Sequence, residues 1–185
     1  MLGSKETQNC FYITSTQTGE GKTTVAANLA IQLSDMGKKV LLLDLDNRNP
    51  GLGGIFLKAV DYSRSLNAVY KGEAMPEEAV ISLTGYLDFL PMILEHNAIP
   101  LDGTLFEFVR QISKGYEYVI IDAPSLEQSS DVLSLSQIAH MVLFVIRYDT
   151  AMMQDIQNSI EKLDKSGTRI LGCVVNGVQT MGGIG

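Results

Sequence analysis

The sequence predicts an α/β fold: a three-layer sandwich in which a mostly parallel central sheet carries helices on both faces. Short continuous apolar runs recur along the chain, stretches of helical periodicity lie between most of them, and glycine-rich or polar turns separate the two. Strands of a parallel sheet are covered on both faces, so they read as unbroken apolar runs rather than as alternation. Strand–helix alternation then folds by right-handed crossovers into an open sheet. With 185 residues, 45% of them hydrophobic, the chain can bury one sizeable core. It is read as a single domain, 1–185, with short disordered ends at 1–8 and 178–185.

The first strand is CFYIT at 10–14. A helix follows, with Val25, Leu29, Leu33 and Met36 at helical spacing and Gly37 closing it ahead of Lys38 and Lys39. VLLLD at 40–44 is the second strand. From 51 to 100 the pattern breaks into pieces punctuated by Gly51, Gly53, Gly54, Pro76, Pro91 and Pro100, read as short helices and one strand near 87–92. Leu105, Phe108, Val109 and Ile112 mark another helix, opened by Thr104 and Glu107 at capping-box spacing and closed by Gly115. YVIID (118–122) and MVLFVI (141–146) are strands. A helix with Met153, Ile156, Ile160 and Leu163 on one stripe and Gly167 at its end leads to a last strand, ILGCVV (170–175).

Composition removes several functions. Acidic residues number 21 against 14 Lys plus Arg, and a net charge of −7 repels phosphodiester backbones, so no nucleic acid partner is expected. The two cysteines, Cys10 and Cys173, both sit in strand-like runs; they offer neither a disulfide framework nor a thiolate zinc site and fit a reducing cytoplasm. No run approaches the roughly eighteen apolar residues of a membrane span, and neither a signal peptide nor a terminal amphipathic membrane helix is evident, so no direct membrane insertion is expected. His96 and His140 are isolated from any second metal ligand, Ser125 lacks a nucleophile-elbow context, and Met152 and Met153 read as packing residues.

In an open parallel sheet the ligand lies beyond the carboxyl ends of the strands. The loops after Thr14, Asp44, Asp122 and Ile146 are therefore the ones to inspect, and the first of them is TSTQTGEGKTT, 14–24. A loop that holds nucleotide phosphates needs glycines that let backbone N–H groups face inward, a lysine for the outer phosphates and a hydroxyl for magnesium. Gly19, Gly21, Lys22 and Thr23 supply these, and the helix that starts there adds its positive end. The general pattern asks for glycine at position 16, where this chain has Thr16, so a polar turn with a chance GKT is the plain alternative. Two further motifs decide between them. VLLLDLDNRNP places Asp44 and Asp46, and YEYVIIDAPS places Asp122, at strand ends, where carboxylates suit a magnesium–ATP site. Asp122 by itself would also serve as a helix cap.

Together TSTQTGEGKTTVAANLA, VLLLDLDNRNPGL, YEYVIIDAPS and ILGCVVNGV resemble the deviant P-loop ATPases of the MinD/ParA group, and most closely its bacterial tyrosine kinase branch, which serves capsule and exopolysaccharide assembly. MinD and ParA proteins carry an extra lysine where this chain has Gln17, and GEGKT sides with the kinases, although Thr18 replaces their proline. The resemblance implies a P-loop NTPase fold with ATP or ADP and Mg²⁺ as cofactors. It implies Thr18, Gly19, Glu20, Gly21, Lys22, Thr23 and Thr24 as nucleotide contacts. Lys22 then binds the β- and γ-phosphates, Thr23 ligates Mg²⁺, Asp44 acts near the attacking hydroxyl, and Asp46 and Asp122 support the metal. Asn176 is similar to the asparagine that reads the adenine edge, the alternative being a turn residue before Gly177. Arg48, in RNP, matches a kinase element that meets phosphate or an adjacent subunit, or else is solvated.

The same resemblance implies a homo-oligomer, a dimer or ring, and a membrane-embedded polysaccharide co-polymerase as activator, which would recruit a cytoplasmic domain to the inner face of the membrane. Two departures qualify it. No tyrosine follows Tyr148, where such kinases carry a tyrosine-rich substrate tail, and only nine residues precede CFYI, where they carry a helical ring contact. A trimmed chain, a short paralogue acting on other proteins, and an ATPase switch of the MinD/ParA type are the three readings left open. The residues fix phosphates and metal but not whether tyrosine or water attacks.

Overall fold

The computed structural model describes residues 9–178, so the expectations for the two chain ends lie outside the described residues apart from Val178. Strands β1 (Cys10–Ser15), β2 (Val40–Asp44), β3 (Ile81–Ser82), β4 (Leu87–Leu90), β5 (Tyr118–Asp122), β6 (Met141–Arg147) and β7 (Arg169–Asn176) form one sheet in the order β3-β4-β2-β5-β1-β6-β7. Every pairing is parallel except the edge pair β3–β4. The helices are α1 (Lys22–Asp35), α2 (Leu52–Phe56), α3 (Leu66–Tyr70), α4 (Pro76–Ala79), α5 (Gly103–Ser113) and α6 (Met153–Lys165), with 3-10 turns at Tyr62–Arg64 and Ser130–Gln137. The α/β three-layer reading stands.

Alternate strand residues feed two cores, as the pleat requires. Tyr12, Leu41, Leu43, Val119 and Ile121 face α3, α5 and α6, where they meet Leu66, Phe106, Val109 and Leu163. Phe11, Ile13, Val40, Leu42 and Ile120 face α1 and α2. The central strands β1, β2 and β5 are buried almost throughout, which is why they read as continuous apolar runs. Tyr12 is fully buried and its hydroxyl donates to Thr168 Oγ1 at 3.2 Å, so the phenol brings its own partner into the core.

Several local expectations are corrected. In α1 the buried face is Ala26, Ala27, Ala30 and Ser34, while Val25, Leu29 and Leu33 are only half-buried and Met36 is exposed. Small side chains let the helix lie close to the sheet, and the larger ones flank the contact. The cap of α5 is Asp102, whose carboxylate accepts the N–H groups of Thr104 and Leu105; Glu107 instead pairs with Arg110. Asp102 stands one residue before the first helical position, where a carboxylate reaches the free N–H groups. Met152 and Met153 do not pack; both are largely exposed. Strand β7 is not covered on both faces: its residues alternate between exposed and half-buried, because it is an edge strand with only β6 beside it. Gly37, Gly115 and Gly167 do end their helices, each with positive φ.

Candidate functional site

The parallel register aligns the carboxyl ends of the central strands, pairing Ile13 and Asp44 each with Asp122. The loop from β1 to α1, the β2 loop and the β5 loop therefore meet at one end of the sheet. Thr14 Oγ1 donates to the Pro124 carbonyl at 2.6 Å, and Thr18 Oγ1 lies 3.5 Å from Ser125 Oγ, which ties the first loop to the third.

Gly19 and Gly21 have φ of 84° and 99°, conformations that only glycine adopts without strain. Gly21 is also the N-cap of α1, and no side chain caps it, so the first N–H groups of the helix stay open to an anion. A Cβ on Gly21 would overlap the Asn176 amide. Lys22 is buried at the start of α1, Thr23 is half-buried beside it, and Thr18 and Thr24 are exposed. Gly51, read in the sequence only as punctuation, has a role here: a Cβ at that position would stand 3.2 Å from the Thr23 methyl and 3.4 Å from its hydroxyl, so the missing side chain eases the close approach of the β2 loop to Thr23. The signal for it was the glycine directly after RNP.

Asp44, Asp46 and Asp122 are all buried. Asp44 accepts the N–H groups of Asp46 at 3.3 Å and Leu52 at 3.0 Å, and Asp46 accepts those of Arg48 and Asn49, so both shape the β2 loop as well as facing the site. Asp122 differs: both its oxygens are buried with no hydrogen-bonding partner. Burial pushes its carboxyl from 3.8 up to about 7; the nearby Thr23 hydroxyl, which makes no well-aligned bond, and the Lys22 ammonium oppose the rise. Asp44 is raised well above its ordinary value, first by burial and then by the charge of Asp122. Crowded buried carboxylates with bare oxygens are what a cation neutralises. Among the described residues no three acidic, His or Cys side chains converge as a complete metal cage.

Two residues spend their side chains on contacts within the protein. The Glu20 side chain is fully buried and turned into the protein, where it accepts the N–H groups of Gln17 and Arg147. Asn176 does reach the loop, but its Nδ2 donates to the Glu20 carbonyl at 3.0 Å and its Oδ1 accepts from Gly177 N–H. Arg147 is the residue that sequence reading missed: its Nη1 donates to the Gly19 carbonyl at 3.0 Å, and although it directly follows Ile146, where a loop was expected, no motif singles it out. Arg48 is exposed.

A glycine loop opening a helix at the carboxyl edge of a parallel sheet, with buried lysine and strand-end carboxylates, defines a nucleotide-binding domain of the P-loop class. Residues 11–181 match the model of the CobQ/CobB/MinD/ParA nucleotide binding domain, and the chain belongs to that family. Within it the chain sits with the bacterial tyrosine-protein kinases. The tyrosine-protein kinase YwqD of Bacillus subtilis is 30% identical over 89% of this chain and 70% of its own length. The chain spans only 24% of a relative from the cps region of Klebsiella pneumoniae, at 26% identity. Among solved structures, the chimerical protein CapA2B2 superposes with a TM-score of 0.83 at 26% identity, covering 97% of this chain and 79% of that one. The MinD protein of Pyrococcus horikoshii in complex with Mg-ADP gives 0.77 at 27% identity, covering 90% and 69%.

Proposed function

We propose that the chain is the ATP-binding, Mg²⁺-dependent catalytic domain of a protein-tyrosine kinase of capsule or exopolysaccharide biosynthesis. The observation that carries the chemistry is the pairing of an open phosphate loop with Asp122, whose bare buried oxygens lie close to Lys22 and Thr23. The kinase names of relatives at 26–30% identity supply the acceptor.

Lys22 and the loop N–H groups bind the β- and γ-phosphates, and the adenosine end extends toward Asn176. Thr23 and Asp122 would hold the magnesium, with Asp46 supporting, and the ion would supply neutralisation of charge on the phosphates. The tyrosine oxygen attacks the γ-phosphorus as the bond to the β-bridging oxygen breaks, ADP leaves with that electron pair, and Asp44 takes the phenolic proton. Its raised proton affinity suits that task, and each of its oxygens keeps a lone pair beyond the backbone N–H it accepts. The domain works in the cytoplasm as a homo-oligomer, recruited by a membrane-embedded activator. No described helix is long and apolar enough to cross a membrane.

A MinD-like switch that hydrolyses ATP is the second reading, favoured by MinD structures of comparable similarity. The fate of radiolabelled γ-phosphate separates the two. The kinase reading expects label on tyrosine of an added tyrosine-containing peptide or of the chain, where Tyr86 and Tyr148 are the exposed acceptors among the described residues. The label should disappear in Asp44→Ala. Free phosphate with no labelled tyrosine would favour the switch.

A further inference from the structure

We propose that Glu20 is a positioning residue whose side chain sets the phosphate loop in its anion-gripping shape without itself contacting any nucleotide atom. The inference rests on the nucleotide reading of the loop given above. Glu20 is an acidic side chain inside a phosphate-binding motif, and its carboxylate is 0% exposed. Burying a carboxylate is costly unless its lone pairs are satisfied. Here Oε2 accepts the Gln17 N–H at 2.6 Å, and Oε1 accepts the Arg147 N–H at 3.2 Å. The first bond closes the loop on itself, and the second pins it to the end of β6.

Two more bonds act on the same segment from the strand ends. Arg147 Nη1 donates to the Gly19 carbonyl at 3.0 Å, and Asn176 Nδ2 donates to the Glu20 carbonyl at 3.0 Å. In a trans peptide the C=O of one residue points opposite to the N–H of the next. Carbonyls 19 and 20 are drawn toward β6 and β7, so the N–H groups of Glu20 and Gly21 are turned away from those strands. Neither N–H donates to another group among the described residues. The Gln17 N–H, by contrast, is occupied by Glu20 and is removed from the set that can meet phosphate. Glu20, Arg147 and Asn176 thus choose which loop N–H groups face the ligand, and they do so before the ligand arrives, which lowers the cost of ordering on binding.

The test titrates a fluorescent ADP analogue with Mg²⁺ against the wild-type chain, Glu20→Ala, Glu20→Gln and Lys22→Ala, and records the unfolding temperature of each without ligand. Gln keeps one carbonyl acceptor and turns an NH₂ toward the other N–H, so it preserves volume while breaking one of the two bonds. The expected result is a Kd raised about tenfold or more in Glu20→Ala and by a smaller factor in Glu20→Gln. In turnover assays the KM for ATP rises with it while kcat at saturating ATP is retained, because the reacting groups are untouched. Should Glu20→Ala fail to fold, Glu20→Gln decides. Kd within about twofold of wild type in the folded Glu20 variants overturns the proposal, including the case where only the unfolding temperature falls. If Lys22→Ala loses affinity while the Glu20 variants do not, this inference alone fails; if the wild type itself binds no ADP, the nucleotide reading fails and takes this one with it.

Discussion

Gly21 carries two independent constraints, a φ of 99° and an Asn176 amide lying where a Cβ would be. Gly21→Ala should therefore weaken ADP binding about tenfold or more, read by fluorescence titration, because the loop must move to relieve both. The cysteines offer a second check at this scale. Burial pushes the Cys10 thiol up to about 12, whereas Cys173 is exposed on β7. A thiol reagent at pH 8 should modify Cys173 in the folded chain and reach Cys10 only after denaturation, as peptide mass mapping would show. The gathering of Lys22, Thr23, Asp44 and Asp122 at one end of the sheet was legible because their place is tied to motif position. The contacts of Glu20 with Arg147 and of Asn176 with the Glu20 carbonyl were not, since they join residues more than a hundred positions apart.

Among the elements, β1, β2 and β5 could be read from their apolar runs because a central parallel strand has no polar face to show. The same rule misread β7, whose sequence is as apolar but whose place at the edge leaves Leu171 and Val175 exposed. Strand β3, only two residues long, and the 3-10 turn Ser130–Gln137 are too short or too irregular to impose a period. The start of α5 separates two capping arrangements. Asp102→Ala should destabilise the fold by about 1 kcal/mol or somewhat more, since the carboxylate also accepts the Tyr70 hydroxyl, and Glu107→Ala should change little. Denaturant unfolding measures both.

For the whole molecule, three loops brought together at one end of the sheet concentrate buried acid beside the glycine loop. Without a cation that arrangement costs stability, and the sign follows from the raised carboxyls. The folded chain prefers Asp122 protonated, so the favourable contribution is fully present below its ordinary value of 3.8 and is lost as pH rises toward about 7. The unfolding temperature without ligand should fall across that window, and Asp122→Asn should flatten the fall while weakening Mg²⁺-dependent nucleotide binding. An unchanged pH profile in that variant would show that Asp122 is not the strained group.

The central claim is that Lys22 and its loop hold nucleotide phosphates, and that Thr23 and Asp122 would hold Mg²⁺ beside them. Calorimetric titration of ADP with and without Mg²⁺, on the wild-type chain and on Lys22→Ala, tests it most directly. The account predicts binding that Mg²⁺ strengthens and that Lys22→Ala weakens by about tenfold or more. Binding indifferent to both Mg²⁺ and Lys22, or no binding at all, would contradict it.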